Sequence, residues 1–453
     1  MSILKESYDV IVVGGGPGGL PAAIGAARMG CSTLLVERMS TLGGMAISGL
    51  PLLAYLDRAG NSVVGGIPQE FIDRLSEFED GTLGHIPCPL HNSSTLINSA
   101  WFKVIAFEMC KQAGVDILLS AELAGVKVDN HRISGIKVFS RGEEFTFNCR
   151  ILIDATGDAA AAYMAGASYI KGNQENGGMQ AASLLFNVDN VNVEKVTDYL
   201  KKNPEAYKVP DTIETSYSLE FFEKSRGYVL HGFGNIIEKA RANGDFDIPR
   251  DRIIIATLPN HGVVSVNTTR IKTIDGTNTI EVTDAIIECH KQIKTLMRFF
   301  RKYVPGFENC CLSSISDMLG VRETRRVIGL KTLTKDELYN PNYDDAVALG
   351  GYNIDIHQSG TEKLILIPME KAVGIHYGCL ISKDIENLIL SGRCISTDDY
   401  AFSLTRVMPT CMAVGEAAGT AAALSVKEGV SPAALDVDLV RSTLRNNGAI
   451  VSL

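Results

Sequence analysis

Four short runs of apolar residues cross this chain without polar alternation. They lie at residues 8–13, 32–37, 151–154 and 387–390. A strand with one face in water alternates. An unbroken apolar run instead fits a strand covered on both faces, as in a parallel sheet flanked by helices. The first run leads into an Ala-rich helical pattern that stops at Gly30, a natural C-terminal residue. Residues 115–150 do alternate, with polar turns at Asp129-Asn130 and Arg141-Gly142, which predicts an antiparallel meander inserted between parallel strands.

From about residue 183 to 372 the character changes. Residues 193–247 are charged and helix-patterned, with Pro and Gly punctuation. "RIIIATLPNHGVVSVNTTRI" predicts a strand pair folding back at Pro259–Gly262. A long amphipathic helix follows, with Thr283 as its expected N-cap and Pro305-Gly306 as its stop. In "DMLGVRETRRVIGLKTLT", residues 317–334, the β-branched residues predict a strand, and Thr334 with Glu337 predicts a capping box opening a helix. Strand alternation would place Arg322 and Arg326 on one face, and Glu323 and Arg325 on the other. Three guanidiniums within five positions repel one another. Either an anionic ligand or ion pairs from other elements must compensate them. The pattern as a whole predicts an α/β fold with a parallel central sheet and inserted antiparallel meander, built from residues 1–182 and 373–453. An α+β cap would be formed by residues 183–372.

The chemistry starts in "YDVIVVGGGPGGLPAAIGAARMGCSTLLVER". Gly14, Gly16 and Gly19 give G-x-G-x-x-G between a strand and a helix, and Glu37 ends the next strand 21 residues after Gly16. Gly14 permits the tight turn, Gly16 lets backbone approach a pyrophosphate, and Gly19 brings helix against strand. Pro17 suits the first turn, where its missing N–H costs nothing. The helix N-terminus offers free N–H groups to the phosphates, and a carboxylate at Glu37 accepts from ribose hydroxyls. This Rossmann-like fingerprint implies a dinucleotide without distinguishing NAD from FAD.

Further motifs make that distinction. Gly43 and Gly44 follow Glu37, Ala155–Asp158 reads ATGD, and the tail carries GRCIS at 392–396, RVMPTCMA at 406–413 and GEAAGTAAA at 415–423. Together they resemble the FAD-dependent oxidoreductase family of glutathione-reductase-like nucleotide topology, related to the fumarate-reductase-type flavoproteins. The resemblance spans almost the whole chain, including "GVRETRRVIG" and the "PGF" before it. It implies FAD as cofactor. Gly14, Gly16, Pro17, Gly18 and Gly19 would line the pyrophosphate, Glu37 and Arg38 the adenosine, and Gly43, Gly44 and Met45 the pyrophosphate and flavin. Val126 would reach the adenine, and Thr156, Gly157 and Asp158 would close the site. Gly392, Arg393, Val407, Met408, Gly415, Ala418 and Gly419 would surround the flavin. A helix starting at Pro409 would also aim its free N–H groups at the charge a reduced flavin gathers.

Composition narrows the setting. The net charge of −9 provides no basic field for nucleic acid, and no apolar stretch approaches membrane-spanning length. Lys5, Glu6 and Asp9 interrupt any signal-peptide core, so a cytoplasmic location is expected. The 10 cysteines form no Cys-x-x-Cys and no metal-ligand spacing, so no metal and no thiol relay are expected. With a single dinucleotide fingerprint, the electron partner is the substrate, a transiently bound NAD(P)H, or a redox protein.

For catalysis, Arg322, Arg326 and Arg406 are candidate anion holders, because a planar guanidinium matches carboxylate or phosphate. His376 and Tyr377 occupy "GIHYGC", where many relatives carry Ile-Pro-Tyr-Arg, making His376 a candidate acid or base with a structural role as its alternative. His357, Tyr400 and Cys411 are weaker candidates, and "GHIPCPLHN" places His85, Cys88 and His91 in a loop able to roof a pocket. These residues suit hydride transfer between flavin and a C–H or C=C centre of a small anionic substrate. A flavin monooxygenase and a non-catalytic flavin-binding module are the alternatives.

Overall fold

The strand Ser7–Val13 pairs in parallel with Thr33–Glu37 on one side and with the second half of Glu143–Asp154 on the other. Asp116–Leu119 and Leu388–Leu390 extend this parallel core outward. The sheet belongs to a computed structural model describing residues 4–173, 177–210, 213–361 and 364–453. Each apolar run becomes a buried strand, as unbroken hydrophobicity demands. The first half of Glu143–Asp154 turns back on Arg132–Ser140, which pairs antiparallel with Glu122–Asp129. The meander turns where expected: Asn130, Arg141 and Gly142 all take positive φ.

Helices Gly19–Arg28 and Met408–Glu428 pack across this sheet with backbone nearly touching backbone. A Cβ added at Gly415 would stand 2.1 Å from the Gly18 carbonyl oxygen, and one at Gly419 2.2 Å from that of Ala22. These small residues let the second helix begin close to the end of the first strand.

A second core surrounds a five-stranded antiparallel sheet in the order Val229–Gly232, Ile253–Thr257, Val264–Val266, Phe186–Asp189, Cys311–Ile315. The helix Thr279–Tyr303 contributes Cys289, Ile293 and Leu296 to it. Its cap lies five residues before the expected Thr283. Asn278 is the cap, accepting from the Ile280 N–H at 3.0 Å, while Thr283 Oγ1 donates back to the Thr279 carbonyl. Residues Val327, Leu333 and Val347–Leu349 pack into the first core.

Two further expectations change. The Pro-rich segment at His85–His91 is a β-hairpin, Thr82–Cys88 with Asn92–Ile97. The arginine stretch forms strand only at Arg325–Val327, against Tyr169–Lys171. Residues 321–324 lie outside any strand, so alternation does not extend back to Arg322. The helix Lys335–Tyr339 does open as predicted, Glu337 Oε2 accepting the Thr334 N–H at 3.0 Å.

One buried carboxyl ties the long helix to its neighbour. Glu416 Oε2 accepts the Ile67 N–H at 3.0 Å, in space that Gly66 leaves open. Burial pushes the Glu416 carboxyl up to about 8, with the Ile67 N–H opposing. The folded state thus holds a proton that the unfolded chain releases above its ordinary value of 4.5. Stability from this proton is complete below the unfolded value and declines as pH rises toward the folded one, on the order of 1.4 kcal/mol per pH unit. Glu416→Gln keeps an acceptor for Ile67. Urea midpoints measured across this range should fall less steeply for Glu416→Gln than for the wild type.

Candidate active site

The residues at the strand ends leave a cavity of about 730 Å³ running from Glu37 and Arg38, past the glycine turn, to a polar end between the two cores. Gly14 holds the turn at φ +103°, and a Cβ there would stand 2.4 Å from the Ala155 carbonyl oxygen. Packed directly against this turn, a Cβ on Gly44 would stand 2.8 Å from the Gly16 Cα. Gly16, Pro17, Gly18, Gly44 and Met45 line the cavity. The result is a glycine-rich cradle beside the start of a helix, the shape a dinucleotide pyrophosphate needs. Glu37 is held in place by accepting the Gly15 N–H at 2.6 Å and the Met39 N–H at 2.8 Å.

The far wall is organised by Asp154. Its Oδ1 accepts from the Thr156 N–H at 3.0 Å and hydroxyl at 2.7 Å, and its Oδ2 from the Ala162 N–H at 2.8 Å. Burial pushes this carboxyl up despite those donors. Thr156, Gly157 and Asp158 thereby reach the cavity. Arg393 clamps them, pairing with Asp158 and donating to the Gly157 carbonyl at 2.8 Å. Gly392, Val407, Met408 and Cys411 complete this wall at the N-terminus of the helix Met408–Glu428.

Six of the residues expected around the cofactor do not line the cavity. Gly19 packs on Gly14, Gly43 shapes its turn by donating to the Gly15 carbonyl at 2.8 Å, and Gly415, Ala418 and Gly419 lie in the buried helix. Val126 pairs with Ile136 farther along the meander, whereas Ala121, Glu122 and Leu123 stand at the cavity. These glycines work by closeness of backbone, which spacing alone does not separate from contact with a ligand.

At the polar end stand Arg322, Arg406, Tyr352, Asp355, His91, His231 and His357. Arg322 donates to the Ala181 carbonyl at 2.5 Å and the Ser183 hydroxyl at 3.0 Å, both uncharged. Burial, then the neighbouring Arg406, push its guanidinium down to about 9, with Asp355 opposing; it stays charged at neutral pH. Arg406 donates to Asp355 Oδ2 at 3.1 Å. Asp355 Oδ1 lies 3.3 Å from His357 Nε2, and burial followed by the surrounding arginines pushes His357 well down. The sequence reading missed Tyr352, Asp355 and His231. They sit in ordinary strand and loop patterns, and no spacing links residues so far apart.

The structure moves other expected catalytic residues away from the cavity. His376 is fully buried between Glu337, 2.8 Å from Nε2, and Asp345 at Nδ1. Tyr377 donates to the Pro432 carbonyl at 2.7 Å. Arg326 is fully buried, donating to Asp399 at 2.5 Å and the Gly172 carbonyl at 2.8 Å, with Glu323 at 3.7 Å. The expected faces are therefore regrouped: Glu323 serves Arg326, while Arg325 lines the cavity, stacked 4.1 Å from the Tyr163 ring. The irregular backbone before Arg325 sets this parity. His85 stacks on Tyr55, and Tyr400 lies under the Lys335 ammonium. Removing Arg326 takes a buried cation away from Glu323 and Asp399, so Arg326→Ala should cost about 3–5 kcal/mol in urea unfolding. Arg322→Ala, whose partners are neutral, should cost clearly less.

Comparison with known proteins agrees with this construction. A family described as FAD dependent oxidoreductase matches residues 9–444. A digeranylgeranylglycerophospholipid reductase of Methanocella arvoryzae is 26% identical over 168 residues, 34% of this chain and 40% of that protein. A ferredoxin–NADP reductase of Leuconostoc citreum is 35% identical over 94 residues, 21% of this chain and 26% of that protein. The chain thus spans well under two thirds of these relatives. The solved p-nitrophenol 4-monooxygenase of Pseudomonas putida shares the fold, with a TM-score of 0.50 at 12% identity over 98% of this chain and 89% of that one. Among the described residues no single helix is long and apolar enough to cross a membrane, and no His, Cys, Asp and Glu cluster could hold a metal. The glycine cradle, the Glu37 strand end and the family match agree: the chain belongs to the FAD-dependent oxidoreductases, and FAD is its cofactor.

Proposed function

We propose that this enzyme transfers a hydride between FAD and a C–H or C=C centre of a small anionic molecule held at the polar end of the cavity. The observation that carries the reading is Arg322, a half-buried guanidinium on the cavity wall whose described hydrogen bonds go to neutral oxygens. Buried charge is costly without an opposite charge, and a carboxylate or phosphate would supply one. Bound FAD supplies two-electron chemistry. The protein's own contribution is position and electrostatics. Arg406, tethered to Asp355, presents a second guanidinium beside Arg322, so that a planar anion can be oriented as well as attracted.

The test is anaerobic bleaching of the bound flavin by a panel of hydroxy, amino and saturated carboxylates and phosphates. Reoxidation of the reduced enzyme by the corresponding keto and unsaturated compounds runs the reaction the other way. Arg322→Ala should retain FAD and raise KM for the responding compound about 10- to 100-fold, as for a lost hydrogen bond to a charged group. A reduced enzyme that reoxidises only with dioxygen while hydroxylating its substrate would reject hydride transfer to the substrate. Loss of FAD in Arg322→Ala would assign that residue to the cofactor.

A further inference from the structure

Beside Arg322, the polar end holds a line of hydrogen-bonded side chains drawn from distant segments. His231 Nε2 lies 3.2 Å from His91 Nε2. His91 Nδ1 lies 3.0 Å from the Tyr352 hydroxyl, which donates to Asp355 Oδ2 at 3.0 Å. Asp355 accepts from Arg406 at the same oxygen. All four links of the line touch the cavity, and all are at most 6% exposed.

The chemistry of these groups orients the protons. Asp355, paired with Arg406, accepts, so the Tyr352 O–H points to it. The Tyr352 oxygen then accepts from His91 Nδ1–H, which leaves His91 Nε2 a lone pair. That lone pair accepts from His231 Nε2–H, leaving His231 Nδ1 as the bare end of the line. His231 Nδ1 is buried and has no hydrogen-bond partner among the described residues. A structural network that closes on itself would leave no such end; an unpartnered acceptor at one end and a carboxylate at the other make a line along which a proton can pass in either direction.

We propose that His231, His91, Tyr352 and Asp355 form the proton relay that accompanies hydride transfer in this cavity. The inference rests on the hydride-transfer reading above. In the oxidising direction the substrate gives up a C–H hydride to the cofactor and an O–H or N–H proton to the histidine pair. An N–H bond forms at His231 Nδ1, its Nε2 proton passes to His91, the His91 Nδ1 proton passes to Tyr352, and the Tyr352 proton ends on Asp355. One proton enters and one O–H bond forms on the carboxylate, with no electrons moved along the line. In the reducing direction each transfer runs backwards.

The surroundings favour passing a proton over keeping one. Burial, then Arg406, push His91 down to about 4, with Asp355 opposing. Burial, then His91, Arg252 and Arg250, push His231 well down. Tyr352 is pushed well up by burial and Asp355, with Arg406 opposing and Cys88 adding. Arg322 faces Tyr352 and Asp355 from the cavity side, and the Tyr217 hydroxyl accepts the His231 backbone N–H. Both histidines therefore rest neutral, each with one donor and one acceptor nitrogen.

The test requires no substrate. Tyr352→Phe removes the bridging hydroxyl and keeps the ring. In ¹⁵N-histidine-labelled holoenzyme, His91 should be the Nδ1–H tautomer and His231 the Nε2–H tautomer, and Tyr352→Phe should abolish the His91 preference. In spectroelectrochemical titration, the midpoint potential of bound FAD should fall more steeply with pH in the wild type than in Tyr352→Phe on the acid side of neutrality. The steeper slope counts a proton drawn into the relay by the added charge. Superposable slopes with FAD fully bound, or a His91 Nε2–H tautomer, would overturn the relay. Failure of every anion to bleach the flavin would instead overturn the substrate reading, which neither measurement uses.

Discussion

Where the helices Gly19–Arg28 and Met408–Glu428 cross, the missing Cβ of Gly415 would lie 2.1 Å from the Gly18 carbonyl oxygen, and that of Gly19 1.7 Å from the Gly14 carbonyl oxygen. No side chain can stand at this junction. The first strand, the first helix and the helix Met408–Glu428 meet there as bare backbone, and the cavity opens directly beside them. Any β-carbon would force the two helices apart, at a cost typical of overpacking, about 1–3 kcal/mol or more. It would also withdraw the start of the Met408–Glu428 helix from the cavity that Val407, Met408 and Cys411 line. The cofactor cradle and the packing of the core are thus one constraint.

A second constraint governs charge. Taking a guanidinium out of water is costly, and the chain answers that cost differently at each arginine around the cavity. Arg393 is matched by Asp158 and Arg326 by Asp399 and Glu323, so these cations hold structure together. Arg406 is matched by Asp355 while still lining the cavity. Arg322 is matched only by neutral oxygens in its described hydrogen bonds. Desolvation is expensive for all of them, and a cavity-lining arginine whose hydrogen bonds reach no acid gains from an anionic ligand. The same economy explains His376: set between two carboxylates and away from the cavity, it resembles a bolt more than an acid.

The reading of the chain by itself succeeded where physics is local. Unbroken apolar runs are strands covered on both faces, and Gly14, Gly16 and Gly44 mark places where backbone must come close. The family motifs then pointed to FAD, and the start of the Lys335–Tyr339 helix and the meander turns followed from cap and turn residues. It failed where partners are chosen over distance. Arg326 meets Asp399 and His376 meets Glu337 across loops that no periodicity encodes, and a strand beginning only at Arg325 reversed which arginine faces the cavity. Tyr352, Asp355, His91 and His231 come together from three separate segments. Backbone sterics are written into neighbouring residues, so the amino-acid sequence alone determined the fold and the cofactor cradle. Which charges neutralise one another, and which remain for a ligand or a proton, is settled only when distant side chains are packed out of water.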